Sequence, residues 1–172
     1  PLYGKKPILE GWPKRPKPTP EMARGWVGQG RNLGFVTGEV SGIDVIDDDT
    51  ADGSAEAMLG IPLTPTVRTG SGKRHHYIQH VEGLRNSVSK IADKIDLRAT
   101  GGQVVMPGSI HPETGEEYRW EEGRSPADLP FAKATPELVE RLRAAGKSKP
   151  RKSKRDAWAA KALTAETAKV AD

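Results

Sequence analysis

Across 172 residues the chain carries 27 Lys and Arg, 23 Asp and Glu, no cysteine and a formal charge of +4. That length suits one domain with a hydrophobic core plus an appendage. The lack of cysteine excludes disulfides and thiolate zinc sites, and no run approaches the roughly 20 apolar residues that cross a bilayer or resembles an export signal, so a cytoplasmic protein without membrane partners is expected.

The basicity is local. Residues 1–145 hold 19 Lys and Arg against 20 Asp and Glu, and six bases with no acid among them follow between Lys147 and Arg155. Bulk charge is therefore a weak pointer to nucleic acid, and local motifs are more informative.

The chain opens at Pro1 directly onto Lys5-Lys6-Pro7, so upstream structure in a longer protein is expected. Residues 11–20 hold four prolines and several bases, the composition of an irregular loop. Thr19-Pro20-Glu21 has N-cap, first-turn and early-acid character for a short helix through Trp26, ended by Gly28 and Gly30. Leu33–Thr37 and Ile43–Asp47 are apolar, β-branched runs bounded by glycines and predict strands. Asp52-Gly53-Ser54 opens a short helix to Leu59. Further strands are predicted at Thr66–Thr69, His75–Gln79, Ile95–Arg98, Gln103–Met106 and Glu117–Trp120, the last closing a hairpin around Thr114-Gly115. Thr135-Pro136-Glu137 starts a final helix with Leu138, Leu142 and Ala145 on one stripe, stopped by Gly146. The fold class is mixed α and β, weighted towards strands. The catalytic domain is expected over 1–146, a basic solvated linker over 147–155 and a helical segment over 156–172.

Three motifs carry the chemistry. In Val45-Ile46-Asp47-Asp48-Asp49 an apolar strand runs into three carboxylates. In extended chain Asp47 and Asp49 share a face and Asp48 points away. Two convergent carboxylates suit Mg2+ or Mn2+, which take oxygen ligands and leave places for water and phosphates; the alternative is a solvated acidic turn before the helix. In Thr69-Gly70-Ser71-Gly72-Lys73-Arg74-His75 a small-residue turn enters a strand, so its backbone N–H groups suit phosphate oxygens, with Lys73, Arg74 and His75 adding charge or hydrogen bonds. It lacks the spacing of a Walker loop, and an ordinary hairpin turn is the alternative. Strand alternation places His75 with Tyr77 on one face and His76 with Ile78 on the other, so His75 is read as functional and His76 as structural. In Ile95-Asp96-Leu97-Arg98, Asp96 is a third candidate metal ligand, against the alternative of a surface strand with an ion-pairable Asp and Arg. Ser109 and His111, just beyond, suit a turn.

The order of these elements resembles the bifunctional DNA primase/polymerase N-terminal (Prim-Pol) family of the archaeo-eukaryotic primase superfamily. The resemblance covers about residues 4–122 and lies in Gly4-Lys5-Lys6-Pro7-Ile8 with Gly11-Trp12, Asn32-Leu33-Gly34 through Thr37-Gly38, Asp47-Asp48-Asp49, Ser71-Gly72-Lys73-Arg74-His75, Asp96-Leu97-Arg98 through Pro107-Gly108-Ser109-Ile110-His111, and the Gly115, Tyr118 and Trp120 hairpin. Lys73 stands where the family more often has glycine, and His76 where an apolar residue is usual. The resemblance implies a two-part α+β primase-polymerase fold with an RNA-recognition-motif-like sheet carrying the site. It also implies catalytic metals on Asp47, Asp49 and Asp96 and a triphosphate seat at Ser71 and His75.

The expected activity is template-directed nucleotidyl transfer in replication of a plasmid, phage or similar element. Catalysis is expected from Asp47, Asp49, Asp96 and His75, with Ser71, Gly72, Lys73, Arg74, His75 and Arg98 on the nucleotide. Mg2+ or Mn2+ is the expected cofactor. The expected partners are single-stranded DNA template, primer, dNTP or NTP, and a downstream helicase. Two other readings stay open: a two-metal nuclease with water in place of the 3′-OH, and a non-catalytic module that binds DNA or nucleotide for a helicase.

Overall fold

The structure, a computed structural model, describes residues 1–146; the expected linker over 147–155 and helical segment over 156–172 lie outside the described residues. Its elements are β1 (Leu2–Tyr3), β2 (Lys6–Pro7), a 3-10 turn (Trp12–Lys14), α1 (Pro20–Gly28), β3 (Gly34–Val36), β4 (Ile43–Asp48), α2 (Ala55–Leu59), β5 (Thr66–Arg68), β6 (Arg74–Gln79), β7 (Ser87–Ala92), β8 (Ile95–Arg98), β9 (Gln103–Val105), β10 (Arg119–Trp120) and α3 (Pro136–Gly146). The expected mixture of α and β is what the chain adopts. Its centre is a six-stranded antiparallel sheet in the order β10-β5-β6-β4-β8-β7, beside the two-stranded sheets β1-β2 and β3-β9.

Local chemistry sets the helix starts as the sequence predicts. Thr19 Oγ1 accepts from the Met22 N–H at 3.3 Å with Pro20 behind it, and Thr135 Oγ1 accepts from the Leu138 N–H at 3.2 Å. Each satisfies one of the N–H groups that a helix start leaves unpaired. α1 continues to Gly28, two residues past the expected end. Three strands escape the sequence reading. β1 and β2 are two residues each, too short for any alternation to register. β7 reads Ser-Val-Ser-Lys-Ile-Ala, in which neither alternating row is uniformly apolar, and among the described residues it is the outer strand of the sheet, paired to β8.

Both faces of the sheet are covered, which is why the central strands are apolar on both sides. On one face Ile46, Ile78, Ile95 and Leu97 pack against Ala55 and Leu59 of α2 and the Leu138/Leu142 stripe of α3. On the other Val45, Val67, Tyr77 and Tyr118 pack with Leu2, Val104 and Val105, joined by Phe35, Trp120 and Phe131. Fully burying each such aliphatic side chain contributes about 1.5–3 kcal/mol. The candidate residues continue the rows of this second core toward one end of the strands.

Gly38 fixes the turn into β4. Its φ is +90°, and a Cβ there would lie 2.2 Å from the Thr100 Cα and 2.4 Å from the Thr100 N. Thr100 stands two residues beyond Arg98, so room for a methyl requires the end of β8 to move. Gly38→Ala is expected to lose about 3 kcal/mol of stability and on the order of 10 °C in Tm. Thermal melting of the variant reads this directly, and an unchanged Tm would contradict the packing described.

Candidate active site

β4 is the axis of the site. Its antiparallel register with β6 sets Asp47 opposite His75, and its register with β8 sets Asp47 opposite Asp96. Three strands thus contribute one row, His75–Asp47–Asp96, with side chains on one face and Cβ atoms about 5 Å apart between neighbours. One step back along the strands the same face carries Tyr77, Val45 and Arg98, so the charged row begins where the apolar core stops.

Two carboxylates facing each other across a strand pair repel, and the structure places a cation on them. Arg98 lies two residues along β8 from Asp96 and therefore on the same face. Its Nη2 donates to Asp96 Oδ2 at 2.7 Å and to Asp47 Oδ2 at 3.1 Å. On the other side, His75 Nε2 is 3.4 Å from Asp47 Oδ1. Burial pushes the Asp47 carboxyl up, but the His75 and Arg98 partners outweigh it and hold it below the ordinary carboxylate range. Asp47 is an ionised carboxylate at neutral pH.

Asp49 follows the end of β4, its N–H donating to the Lys94 carbonyl at 2.8 Å, and its side chain is exposed. Partial desolvation, then the negative charges of Asp47 and Asp96, push its carboxyl up, with His75 and Lys73 opposing them. Three acids, Asp47 in β4, Asp49 just beyond it and Asp96 in β8, therefore share one field. As placed, no group of three or more His, Asp or Glu side chains among the described residues is arranged to hold a metal ion, and the Oδ2 atoms of Asp47 and Asp96 are both turned to Arg98. The donor chemistry nonetheless fits a hard divalent cation, since all three side chains offer carboxylate oxygens and their mutual repulsion favours one.

Asp48 has a different role. It points to the opposite face, as alternation predicts, and is fully buried. Its Oδ1 accepts from the Thr50 N–H at 2.9 Å and the Thr50 hydroxyl, and its Oδ2 from the Ala55 N–H at 3.3 Å, so it ties the end of β4 to the start of α2. Burial opposes its ionisation, but His76, Thr50 and these backbone donors bring its carboxyl down to about 2. His76 is also fully buried on this face, with Nε2 3.8 Å from Asp48 Oδ2 and Nδ1 3.3 Å from Thr66 Oγ1.

The turn over 69–73 joins β5 to β6. Thr69 organises it: its N–H donates to the Lys73 carbonyl at 2.9 Å, its carbonyl accepts from the Gly72 N–H at 2.9 Å, and its Oγ1 accepts from the Lys73 N–H at 3.0 Å and lies 3.1 Å from Ser71 Oγ. The Gly72 and Lys73 N–H groups are thus used inside the turn. Gly70 is pressed against the next hairpin, where a Cβ would meet the Glu116 carbonyl oxygen and His111 Cβ at 2.4 Å. Lys73 reaches back over the Asp loop, its Nζ donating to the Thr50 carbonyl at 3.0 Å. Arg74 is on the other face, where its Nε donates to Glu121 Oε1 at 2.7 Å and its guanidinium lies over Gly53. The structure therefore brings together Asp47, Asp49, Asp96, His75, Arg98 and Lys73, sets Ser71 and Gly72 in the adjoining turn, and leaves Arg74 behind the sheet.

Tyr118 belongs to this set and was not singled out as a site residue from sequence. It is buried with its ring 6.0 Å from His75 and 5.8 Å from His111, stacked on the latter. Burial, then the charges of Asp47 and Asp49, push its hydroxyl up to about 12. The available signal was the alternation of Tyr118 and Trp120 beyond the Gly115 turn. His111 shapes that turn, its Nδ1 accepting from the Glu113 and Thr114 N–H groups at 3.3 Å, as its sequence context suggests.

Among the described residues no helix is long and apolar enough to cross a membrane. A search of curated proteins finds no match to the chain. The model of the family described as Prim-Pol, bifunctional DNA primase/polymerase, N-terminal, matches residues 1–132, a span that holds every residue of the cross-strand row and its turn, and the chain belongs to that family, which ties it to DNA primase/polymerase function in replication.

Proposed function

We propose that this site joins nucleotides on a template strand: a primer 3′-oxygen bonds to the α-phosphorus of an incoming nucleotide, the bond to pyrophosphate breaks, and the hydroxyl proton leaves to solvent. The observation that carries this reading is the register that sets His75, Asp47 and Asp96 in one row beside the 69–73 turn, in a chain of this family. Asp47, Asp49 and Asp96 would hold Mg2+ or Mn2+. When bound, such ions neutralise phosphate charge and make the attacking hydroxyl more acidic.

The chain's own groups do the positioning. His75, held against Asp47 and Tyr118, is a fixed donor for a phosphate oxygen. Lys73 and Ser71 stand at the turn beside it, and Arg98 is a cation available to the triphosphate once its carboxylate partners are engaged elsewhere. Such preorganised charge is the main means by which phosphoryl chemistry is accelerated. The domain over 1–146 would be joined through the basic run over 147–155 to a replication helicase, in the setting of a plasmid or phage.

The test is incubation with single-stranded template, nucleotides and Mn2+ or Mg2+, with and without a primer, beside an Asp47→Ala/Asp49→Ala double variant. Template-dependent extension that the double variant lacks is expected. Shortening of the oligonucleotide without extension would instead show a nuclease, and neither product together with metal-independent nucleotide binding would show a non-catalytic module.

A further inference from the structure

Charge and aromatic side chains are segregated along the chain. Residues 1–31 carry seven Lys and Arg against two Asp and Glu, whereas residues 32–146 carry twelve against eighteen. All seven of those bases are exposed. The aromatics divide at the same place: Phe35, Tyr77, Tyr118, Trp120 and Phe131 all join the second core cluster, while Tyr3 is 73% exposed and Trp12 and Trp26 are half-buried outside both clusters. α1 contains no buried residue at all, with Met22 and Val27 exposed along it. A helix with no fully buried side chain contributes little to the core, so the side chains it shows to solvent need another reason.

This stretch is rooted beside the candidate site. The Leu2 N–H donates to the Asn32 carbonyl at 2.7 Å. The Asn32 side chain donates to the Ile110 carbonyl at 2.6 Å and accepts from the Ile110 N–H at 2.9 Å. Ile110 precedes His111, whose ring stacks on Tyr118, which in turn lies against His75. From that root the prolines between positions 13 and 20 hold the segment with Lys14, Arg15 and Lys17 at reduced conformational freedom. Arg15 stays exposed and is steadied further by its Nε donating to the Glu10 carbonyl at 3.1 Å, so presenting these bases to a ligand costs less entropy.

Bases that track a phosphate backbone, together with aromatic faces on which bases stack, are the chemistry of single-strand binding. An anionic membrane surface asks for something different, an amphipathic helix whose own polar face is basic. α1 carries one base, Arg24, and that base is paired with Glu21 at 2.6 Å; the remaining charge lies in the flanking loops. We propose that the surface made by residues 1–31 is the seat of the single-stranded template, with Lys14, Arg15 and Lys17 on its phosphates and Trp12 and Trp26 against its bases. This deepens the polymerase reading by assigning the template clamp to residues that the cross-strand row lacks.

The test measures binding of a labelled oligothymidylate to the whole 172-residue chain by fluorescence anisotropy over a range of salt, without metal or nucleotide. The Lys14→Glu/Arg15→Glu/Lys17→Glu variant is expected to bind at least tenfold more weakly at low salt, and its slope of log affinity against log salt should flatten by about 2, at roughly 0.7 per lost phosphate contact. Trp26→Ala should lose about fivefold or more in affinity with the slope unchanged, and Trp26→Phe should restore it. Melting temperatures and Mn2+-dependent dNTP binding of these variants should match those of the parent. The proposal is overturned if the triple variant keeps the parent's affinity and slope, if binding is lost only when the six bases of 147–155 are changed to alanine, or if the triple variant loses attachment to phosphatidylserine vesicles while still holding the oligonucleotide. A parent chain that binds the oligonucleotide through residues 1–31 yet shows no metal-dependent nucleotide binding would sink the polymerase reading and leave this surface standing.

Discussion

Asp47→Asn is expected to keep the fold and lose nucleotide incorporation by roughly 10²–10³-fold or more, the scale seen when one preorganised charge-stabilising group is removed from an active site. The side chain is nearly isosteric, and one oxygen remains to accept from His75 or Arg98, so the structural loss is confined to a charge-assisted bond of about 1–3 kcal/mol. The catalytic loss is larger because Asp47 is the shared member of the row: His75 stands opposite it on β6, and Asp96 opposite it on β8, with Arg98 on both acids. Neutralising it weakens the field on Asp49 and Asp96 as well, so any cation held there would bind less tightly. Single-turnover primer extension, together with a melting curve of the same preparation, checks both halves. Full incorporation by the variant would remove Asp47 from the chemistry.

Asp48→Ala should behave in the opposite way and unfold the domain readily. The carboxylate is fully buried, and its removal leaves the N–H groups of Thr50 and Ala55 and the Thr50 hydroxyl without their acceptor. The expected loss is about 3 kcal/mol, on the order of 10 °C in Tm. The same group predicts a pH dependence. Its carboxyl is depressed from the ordinary value of 3.8 to about 2 in the folded protein, so its stabilisation of about 2 kcal/mol is fully present above pH 4 and is lost as the pH falls through that interval toward 2. Denaturant unfolding across this pH range should show the slope in the parent and a shallower one in Asp48→Asn. Equal slopes would remove Asp48 as the source. Neighbouring residues in one acidic run would thus separate cleanly, Asp47 failing in activity and Asp48 in stability.

The difference between the two was partly legible beforehand. Period-two alternation along Ile43–Asp48 puts adjacent carboxylates on opposite faces, and the same argument separates His75 from His76; the structure places each on the face expected. What alternation cannot supply is the neighbour across the strand. That Asp96 stands opposite Asp47 depends on the register of β4 with β8, which pairs residues some 50 positions apart. Arg74 shows the limit in the other direction. By composition it belongs with Lys73 and His75, but one step along β6 turns it behind the sheet to Glu121. Tyr118 was unremarkable in sequence because His75 reaches its ring from a distant strand, β6, while His111 stacks on it from across its own hairpin.

The amino-acid order by itself determined the helix starts at Thr19 and Thr135, the central strands, the face on which each acid and histidine lies, and the family. All of these rest on interactions within a few residues, or on strand alternation, which the chain carries in its local pattern. Only the tertiary structure decided that Arg98 spans Asp47 and Asp96, that Asp48 anchors α2, and that β7 completes the sheet. Those outcomes depend on strand register and on packing between distant segments, where the energy comes from contacts that no short window of residues contains.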